Sequence, residues 1–300
     1  VAKRWYSQAF SGKTGKKVFR GFQKAGIHVL PNHYYSPIPD TRTLDDSIWQ
    51  PKDVVAGVDL RLPEQLELLK SLQDYKSEYD AFPKEQTTDQ TQFHLRNGSY
   101  ESVDAEVLYA LLRHLKPQRV IEIGSGNTTL LAAQALRKNA AEGSKGSITA
   151  IEPYPTPMLR NDIAEVVELI EEPVQNVPVE RFEALGEGDV LFIDSSHVLK
   201  IGSDVWYEFL EILPRLKKGV WVHVHDIFFP EEYPKEWVLD EHRFWNEQYL
   251  LQAFLAFNSA YQVRWSGRAM TLSHPTKVAA AIGSFDQSVR PGGFWMQRVG

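Results

Sequence analysis

The sequence contains no cysteine. That excludes disulfides, zinc–thiolate centres, iron–sulfur clusters and cysteine nucleophiles together, and it suits a cytoplasmic protein. No apolar run approaches the ~18 residues of a transmembrane helix. Acid is missing from the first 39 positions. The first acidic residue is Asp40, and Lys3, Arg4, Lys13, Lys16, Lys17, Arg20 and Lys24 precede it. Residues 1–39 therefore carry +7, and the remainder carries −13 to give the net −6. An initiator methionine is also absent, as expected of a trimmed or processed chain. There are no internal repeats and no low-complexity runs.

A basic arm can address nucleic acid, an anionic membrane surface or a targeting machinery. Here no long amphipathic run goes with it, and Gly12 and Gly15 interrupt it. The expected partner is therefore an acidic surface of the same chain or of a neighbouring copy, which admits a homo-oligomer; neither nucleic acid nor membrane is expected. Ser11-Gly-Lys-Thr14 resembles the tail of a phosphate loop but lacks the upstream glycine and strand that a P-loop needs. Residues 1–60 read as irregular, punctuated by Pro31, Pro37, Pro39 and Pro51. His28 and His33 read as surface groups.

What is present is an α/β rhythm. With 300 residues and 43% apolar content, a sizeable core is affordable. Leu62-Pro-Glu64 opens a helix, with proline in the first turn and Leu66, Leu69 and Leu72 as its stripe to about Phe82. A polar linker, 83–92, follows. Ser102 or Asp104 is the expected cap of a second helix, whose Val107, Leu108, Leu111, Leu112 and Leu115 face a core. Arg119-Val-Ile-Glu-Ile-Gly-Ser-Gly-Asn-Thr128 then reads as strand, tight glycine turn and helix start, with Asn127, Thr128 and Thr129 as capping residues. Further strands are expected at 148–151, 166–170, 189–193 and 219–224. A helix at 204–213 is expected to bury Trp206, Phe209, Leu210 and Leu213. A long apolar helix is expected at about 240–258, and two late strands near 261–265 and 294–298. The fold class is α/β, a doubly wound parallel sheet.

In such a sheet, ligands bind beyond the carboxyl ends of the strands. Four predicted strands end in polar groups: Gly124-Ser-Gly126, Glu152, Asp194 with His197, and His225-Asp226. A carboxylate at the second tip can accept two hydrogen bonds from a ribose diol. His223 reads as a satisfied core histidine. A dinucleotide fold wants Gly-x-Gly-x-x-Gly, and Thr129 stands at the third glycine position. S-adenosylmethionine needs the glycine turn and the ribose acid alone.

Val120-Ile-Glu-Ile-Gly-Ser-Gly-Asn-Thr-Thr129, Ile151-Glu-Pro153, Asp189-Val-Leu-Phe-Ile-Asp-Ser-Ser-His197 and Val222-His-Val-His-Asp-Ile227 resemble class I S-adenosylmethionine-dependent methyltransferases. The likeness is greatest to a bacterial small-molecule group and covers roughly residues 90–300. It implies a seven-stranded Rossmann-like sheet with strand seven antiparallel. It implies that Gly124, Ser125, Gly126 and Asn127 lie under the cofactor's methionine part and that Glu122 helps hold that turn. Glu152 would take the ribose, and Asp194 the methyl-transfer end. In metal-dependent relatives such as catechol O-methyltransferase, acids at the tips of strands four and five hold Mg²⁺. Asp194 and Asp226 match such positions. His225 stands where many relatives carry an oxygen ligand, and a nitrogen donor favours Mn, Fe, Co, Ni or Zn over Mg.

The reading is a methyltransferase acting on a hydroxyl, less readily an amine, of a small molecule such as a sugar or secondary metabolite. Its expected cofactors are S-adenosyl-L-methionine and a divalent metal ion held by Asp194, His225 and Asp226. Asp194, His197 and His225 are the catalytic candidates. The expected domains are an N-terminal extension over 1–90 and a catalytic domain over 91–300. Residues 228–258 would form a lid with Tyr233, Trp237 and Trp245 as aromatic walls. Two rivals remain: non-methylating chemistry or hydroxylation on the same scaffold, and a non-catalytic assembly subunit.

Overall fold

A computed structural model of the chain describes residues 13–161 and 167–300. Lys3, Arg4, Ser11 and Gly12 of the basic arm, and Val166 of the third predicted strand, lie outside the described residues. The described chain forms two compact units. One comprises 13–48 with 234–244; the other comprises 49–233 with 245–300. Among the described residues no helix is long and apolar enough to cross a membrane.

The second unit is built on a seven-stranded sheet. Its strands are β1 (Arg119–Ile123), β2 (Ser147–Ile151), β3 (Val167–Ile170), β4 (Val190–Ile193), β5 (Trp221–Val224), β6 (Tyr261–Ser266) and β7 (Phe294–Arg298). Their order is β3-β2-β1-β4-β5-β7-β6. The first five run parallel, and β7 is antiparallel to both β5 and β6. This is the seven-stranded arrangement expected from the resemblance.

Both faces are covered, which is why the strands read as continuous apolar runs. Alternate side chains serve opposite faces. Val120, Ile148, Ala150, Val190, Phe192 and Trp295 pack with Leu69, Leu108, Leu112 and Leu131 on one side. Ile121, Ile123, Ile151, Leu191, Ile193, Val222 and Val224 pack with Phe182, Phe209, Ile212 and Leu251 on the other. The helix Leu62–Leu72 shares the first cluster with the helix Asp104–Leu115. The unit holding the sheet spans 49–233 and 245–300 and so includes both of these helices.

Several local expectations change. A helix, Lys13–Lys24, occupies part of the stretch read as irregular. Gly15 and Gly21 lie inside it; each costs a helix roughly 1 kcal/mol relative to alanine, so the sequence read as broken. The helix Asp104–Leu115 has no side-chain cap. Val103 is its N-cap residue, and the Asp104 carboxylate accepts a bond from the Gly292 N–H instead. Gly126 is the N-cap residue of the helix Asn127–Ala141, and Thr129 Oγ1 accepts from its N–H. The helix Asp204–Tyr207 widens into a π turn over Glu208–Ile212. A wider turn rotates the buried face. Val205, Glu208, Phe209, Ile212 and Leu213 go inside, while Trp206 and Leu210 are exposed. The helix expected at 240–258 is shorter, Glu247–Leu255, and Phe244 precedes it. His223 is buried between Phe192 and Trp295 as expected, but neither of its nitrogens has a partner. Burial pushes its pKa well below the ordinary value.

Candidate active site

The parallel register brings the polar strand ends together. Ile123 of β1 lies between Ile151 of β2 and Ile193 of β4, and Ile193 pairs with Val224 of β5. The ladder runs one bond further. Gly124 N donates to Ile151 O, Asp194 N to Ile123 O, and His225 N to Ile193 O. Gly124, Glu152, Asp194 and His225 therefore stand in a row at one edge of the sheet.

A cleft of about 460 Å³ opens there, lined among others by Gly124, Glu152, Tyr154, Asp194, Lys200 and Asp204. Gly124 has φ +79°, and a Cβ on it would stand 1.9 Å from the Asp194 carbonyl oxygen. Only glycine serves at so close an approach. Glu152 accepts from Ser125 N–H at 3.3 Å and from Tyr154 N–H at 2.8 Å. Beneath the turn, Thr128 Oγ1 donates to the buried Glu122 at 2.5 Å. Burial raises the Glu122 pKa to about 8. Asn127 turns away from the cleft and donates to Asn97 Oδ1 and Ser99 Oγ. Ser125, Gly126 and Asn127 are not among the cleft-lining residues.

Beyond the cleft, charged groups crowd around His197, itself at φ +58°. Its carbonyl accepts from Asn246 N and Glu247 N, the first backbone donors of the helix Glu247–Leu255. Its Nδ1–H donates to Glu247 Oε2 at 2.9 Å. Its Nε2 lies 3.4 Å from Asp194 Oδ1 and 3.7 Å from Asp226 Oδ2. The Trp245 ring packs tilted against the His197 ring, with centroids 4.3 Å apart. Burial alone would pull the imidazole pKa down. Hydrogen bonding and the charges of Asp194 and Glu247 overcome that and raise it to about 11. His225 Nε2 is 3.6 Å from Asp226 Oδ1, its ring lies 4.9 Å from that of the buried Tyr100, and its Nδ1 has no partner. Burial lowers the His225 pKa less than Asp226, Asp194 and Asp104 raise it, so it stands above the ordinary value.

A family model described as a methyltransferase domain matches residues 121–227. An uncharacterized protein of Archaeoglobus fulgidus is 35% identical over 180 residues, which make up 57% of this chain and 80% of that protein. The chain belongs to the methyltransferases. Solved structures are similar at low TM-scores. An apo structure of CmcI has a TM-score of 0.41 at 13% identity, covering 75% of this chain and 84% of that one. An O-methyltransferase from Bacillus cereus in complex with SAH has a TM-score of 0.39 at 13% identity, covering 85% and 94%.

The cleft suits S-adenosylmethionine, the cofactor that the sequence resemblance implies. Gly124 leaves a cradle that a side chain would fill, and Glu152 presents a carboxylate at the β2 tip. The expected metal set fits less well. Among the described residues no three His, Asp or Glu groups are arranged to hold a metal ion. Asp194, His225 and Asp226 do not assemble as one, because the His197 imidazole stands between the two carboxylates. Of the expected lid aromatics, Trp245 borders His197, whereas Tyr233 is buried and its hydroxyl accepts from Gln248 N–H. Trp237 belongs to the other unit, where Arg243 lies over its ring.

Sequence reasoning missed Glu247, Glu208 and Lys200. Glu208 accepts from Ser195 Oγ at 3.0 Å and is fully buried. Glu208 and Glu247 are acids inside apolar helical patterns, where each reads as a solvated face. An acid at the first turn of a helix that follows Trp245-Asn246 was the available hint for Glu247.

Proposed function

We propose that this methyltransferase acts on a hydroxyl, less readily an amine, of a small molecule such as a sugar or secondary metabolite. The observation that supports this is the group of Asp194, His197, His225 and Asp226 adjoining the cofactor cleft through Asp194. When bound, S-adenosylmethionine supplies a methyl group on a positively charged sulfur. Such a transfer needs no enzyme nucleophile, so the chain's work is alignment and proton removal.

The two histidines divide that work in this reading. His197 has both nitrogens facing carboxylates and stays protonated at neutral pH, so it does not collect a proton. It fixes Asp194 and Asp226 instead. His225 is the base, with Asp226 beside it to stabilise the imidazolium that forms. The base acts when neutral. Its raised pKa therefore puts the acidic limb of the rate profile above the ordinary value of ~6.5, with activity rising as pH rises through it.

The test is incubation with S-adenosylmethionine and a panel of hydroxyl- and amine-bearing small molecules, read by product mass. A gain of one methyl group on an alcohol is expected. His225→Gln should cost on the order of 10²–10⁴ in rate and remove the acidic limb. Exhaustive chelation should leave the rate unchanged. Loss on chelation and return with a divalent ion would replace this reading with the metal-assisted one. A product oxidised rather than methylated would sink both.

A further inference from the structure

Asp104 is a buried acid far from the cleft in sequence, and it caps no helix. One of its oxygens, Oδ2, accepts from Gly292 N–H at 2.8 Å. The other is wedged against backbone: a Cβ on Gly293 would meet it at 2.4 Å. Gly292 is held from its other side as well, since Ile227 N donates to its carbonyl at 2.9 Å. Its bare α-carbon faces Asp226. A Cβ on Gly292 would lie 2.9 Å from Asp226 Cα and 3.1 Å from Asp226 Oδ1. Asp226 itself has φ +55°, a left-handed conformation that is uncommon for residues with a side chain, though aspartate adopts it more readily than most.

These contacts form one line: carboxylate, glycine strap, left-handed aspartate. We propose that Asp104 is a positioning residue for methyl transfer, acting through the Pro291-Gly292-Gly293 strap to seat Asp226 against His225 and His197. The inference rests on the proposed role of the His225–Asp226 pair. The strap lies close against Asp226, with no space for a side chain between them, and the Asp104 bond to Gly292 N–H resists its shifting away. A misplacement of about 1 Å at a reacting group can cost on the order of 10² in rate, so a small movement here is enough to matter.

The experiment compares Asp104→Ala, Asp104→Asn, Gly292→Ala and Asp226→Ala in the full chain, with kcat, acceptor KM and cofactor affinity measured for each. Asp104→Ala should lower kcat roughly 10–100-fold while cofactor affinity holds. Asp104→Asn keeps an oxygen that accepts from the Gly292 N–H, and should recover most of the rate. Gly292→Ala leaves Asp104 in place but crowds Asp226, and should lower kcat alone in the same way; it decides the matter if Asp104→Ala fails to fold. If Asp226→Ala abolishes turnover while Asp104→Ala and Gly292→Ala keep normal kcat, the inference is overturned and the proposed function stands. If Asp226→Ala itself turns over normally, the proposed function falls and takes this inference with it.

Discussion

Glu152 shows what one side chain contributes at a strand end. Its two oxygens accept from Ser125 N–H and Tyr154 N–H, so the carboxylate is already oriented at the β2 tip beside Gly124. A preset acceptor loses little freedom when a diol binds, which favours affinity. Hydrogen bonds to a charged group contribute roughly 1.5–3 kcal/mol each where a neutral one gives about 1. Replacing Glu152 by alanine also leaves two backbone donors to water. Glu152→Ala should therefore weaken S-adenosylmethionine binding by about 1–3 kcal/mol, or about 5–150-fold in Kd. Calorimetry on the purified chain measures it directly. Unchanged affinity would remove Glu152 from the site. His197 illustrates the opposite case. Three carboxylates surround it, and those next to it hold its pKa well above the ordinary imidazole value.

At the level of elements, the strands were legible because buried parallel strands carry few polar residues and end abruptly at ligand-facing ones. Val120 to Ile123 and Val190 to Ile193 follow that rule, and Gly124 together with the acids Glu152, Asp194 and Asp226 stood out just past the strand ends. What depends on distant contacts did not stand out. Glu247 reaches His197 across 50 residues of chain, and Asp104 reaches Gly292 across 188. The π turn after Tyr207 leaves no periodic trace that separates it from an ordinary helix. The helix Lys13–Lys24 was hidden by its glycines, yet it gives the basic arm a definite form. Lys13, Lys16, Lys17, Arg20 and Lys24 are all exposed on it, as are Val18 and Phe22 one turn apart. We propose that this helix packs against protein, of the same chain or of a second copy, rather than nucleic acid. Five phosphate contacts would make log K fall with log salt at a slope of about −4.5. A mobility-shift series with mixed duplex and single-stranded DNA should show no such dependence. A steep slope would overturn the proposal.

For the whole molecule, the notable charges are the buried ones. Burial raises Asp104 to about 6, Glu106 to about 7 and Glu122 to about 8. Each takes up more protons folded than unfolded between its ordinary carboxylate value and its raised one. Stability must then fall as pH rises through that interval. His197 adds to the trend. Its stabilising charge is fully present below the ordinary imidazole value and is lost as pH climbs toward about 11. Asp194 works against them at low pH. Burial would raise its pKa, but His225 and His197 hold it below the usual value, so its contribution disappears as acid protonates it. The melting temperature should therefore peak at mildly acidic pH, near 5, and decline toward pH 8, with the acids setting the slope in that window. Glu122→Gln isolates one of them. The amide keeps an oxygen for the Thr128 hydroxyl and has no proton to release, so the variant should lose less stability between about pH 5 and 8 than the parent chain. Differential scanning calorimetry across that range reads both slopes. Parallel slopes would mean that Glu122 titrates alike in the folded and unfolded chain, and that the glycine turn above it does not rest on a neutral carboxyl.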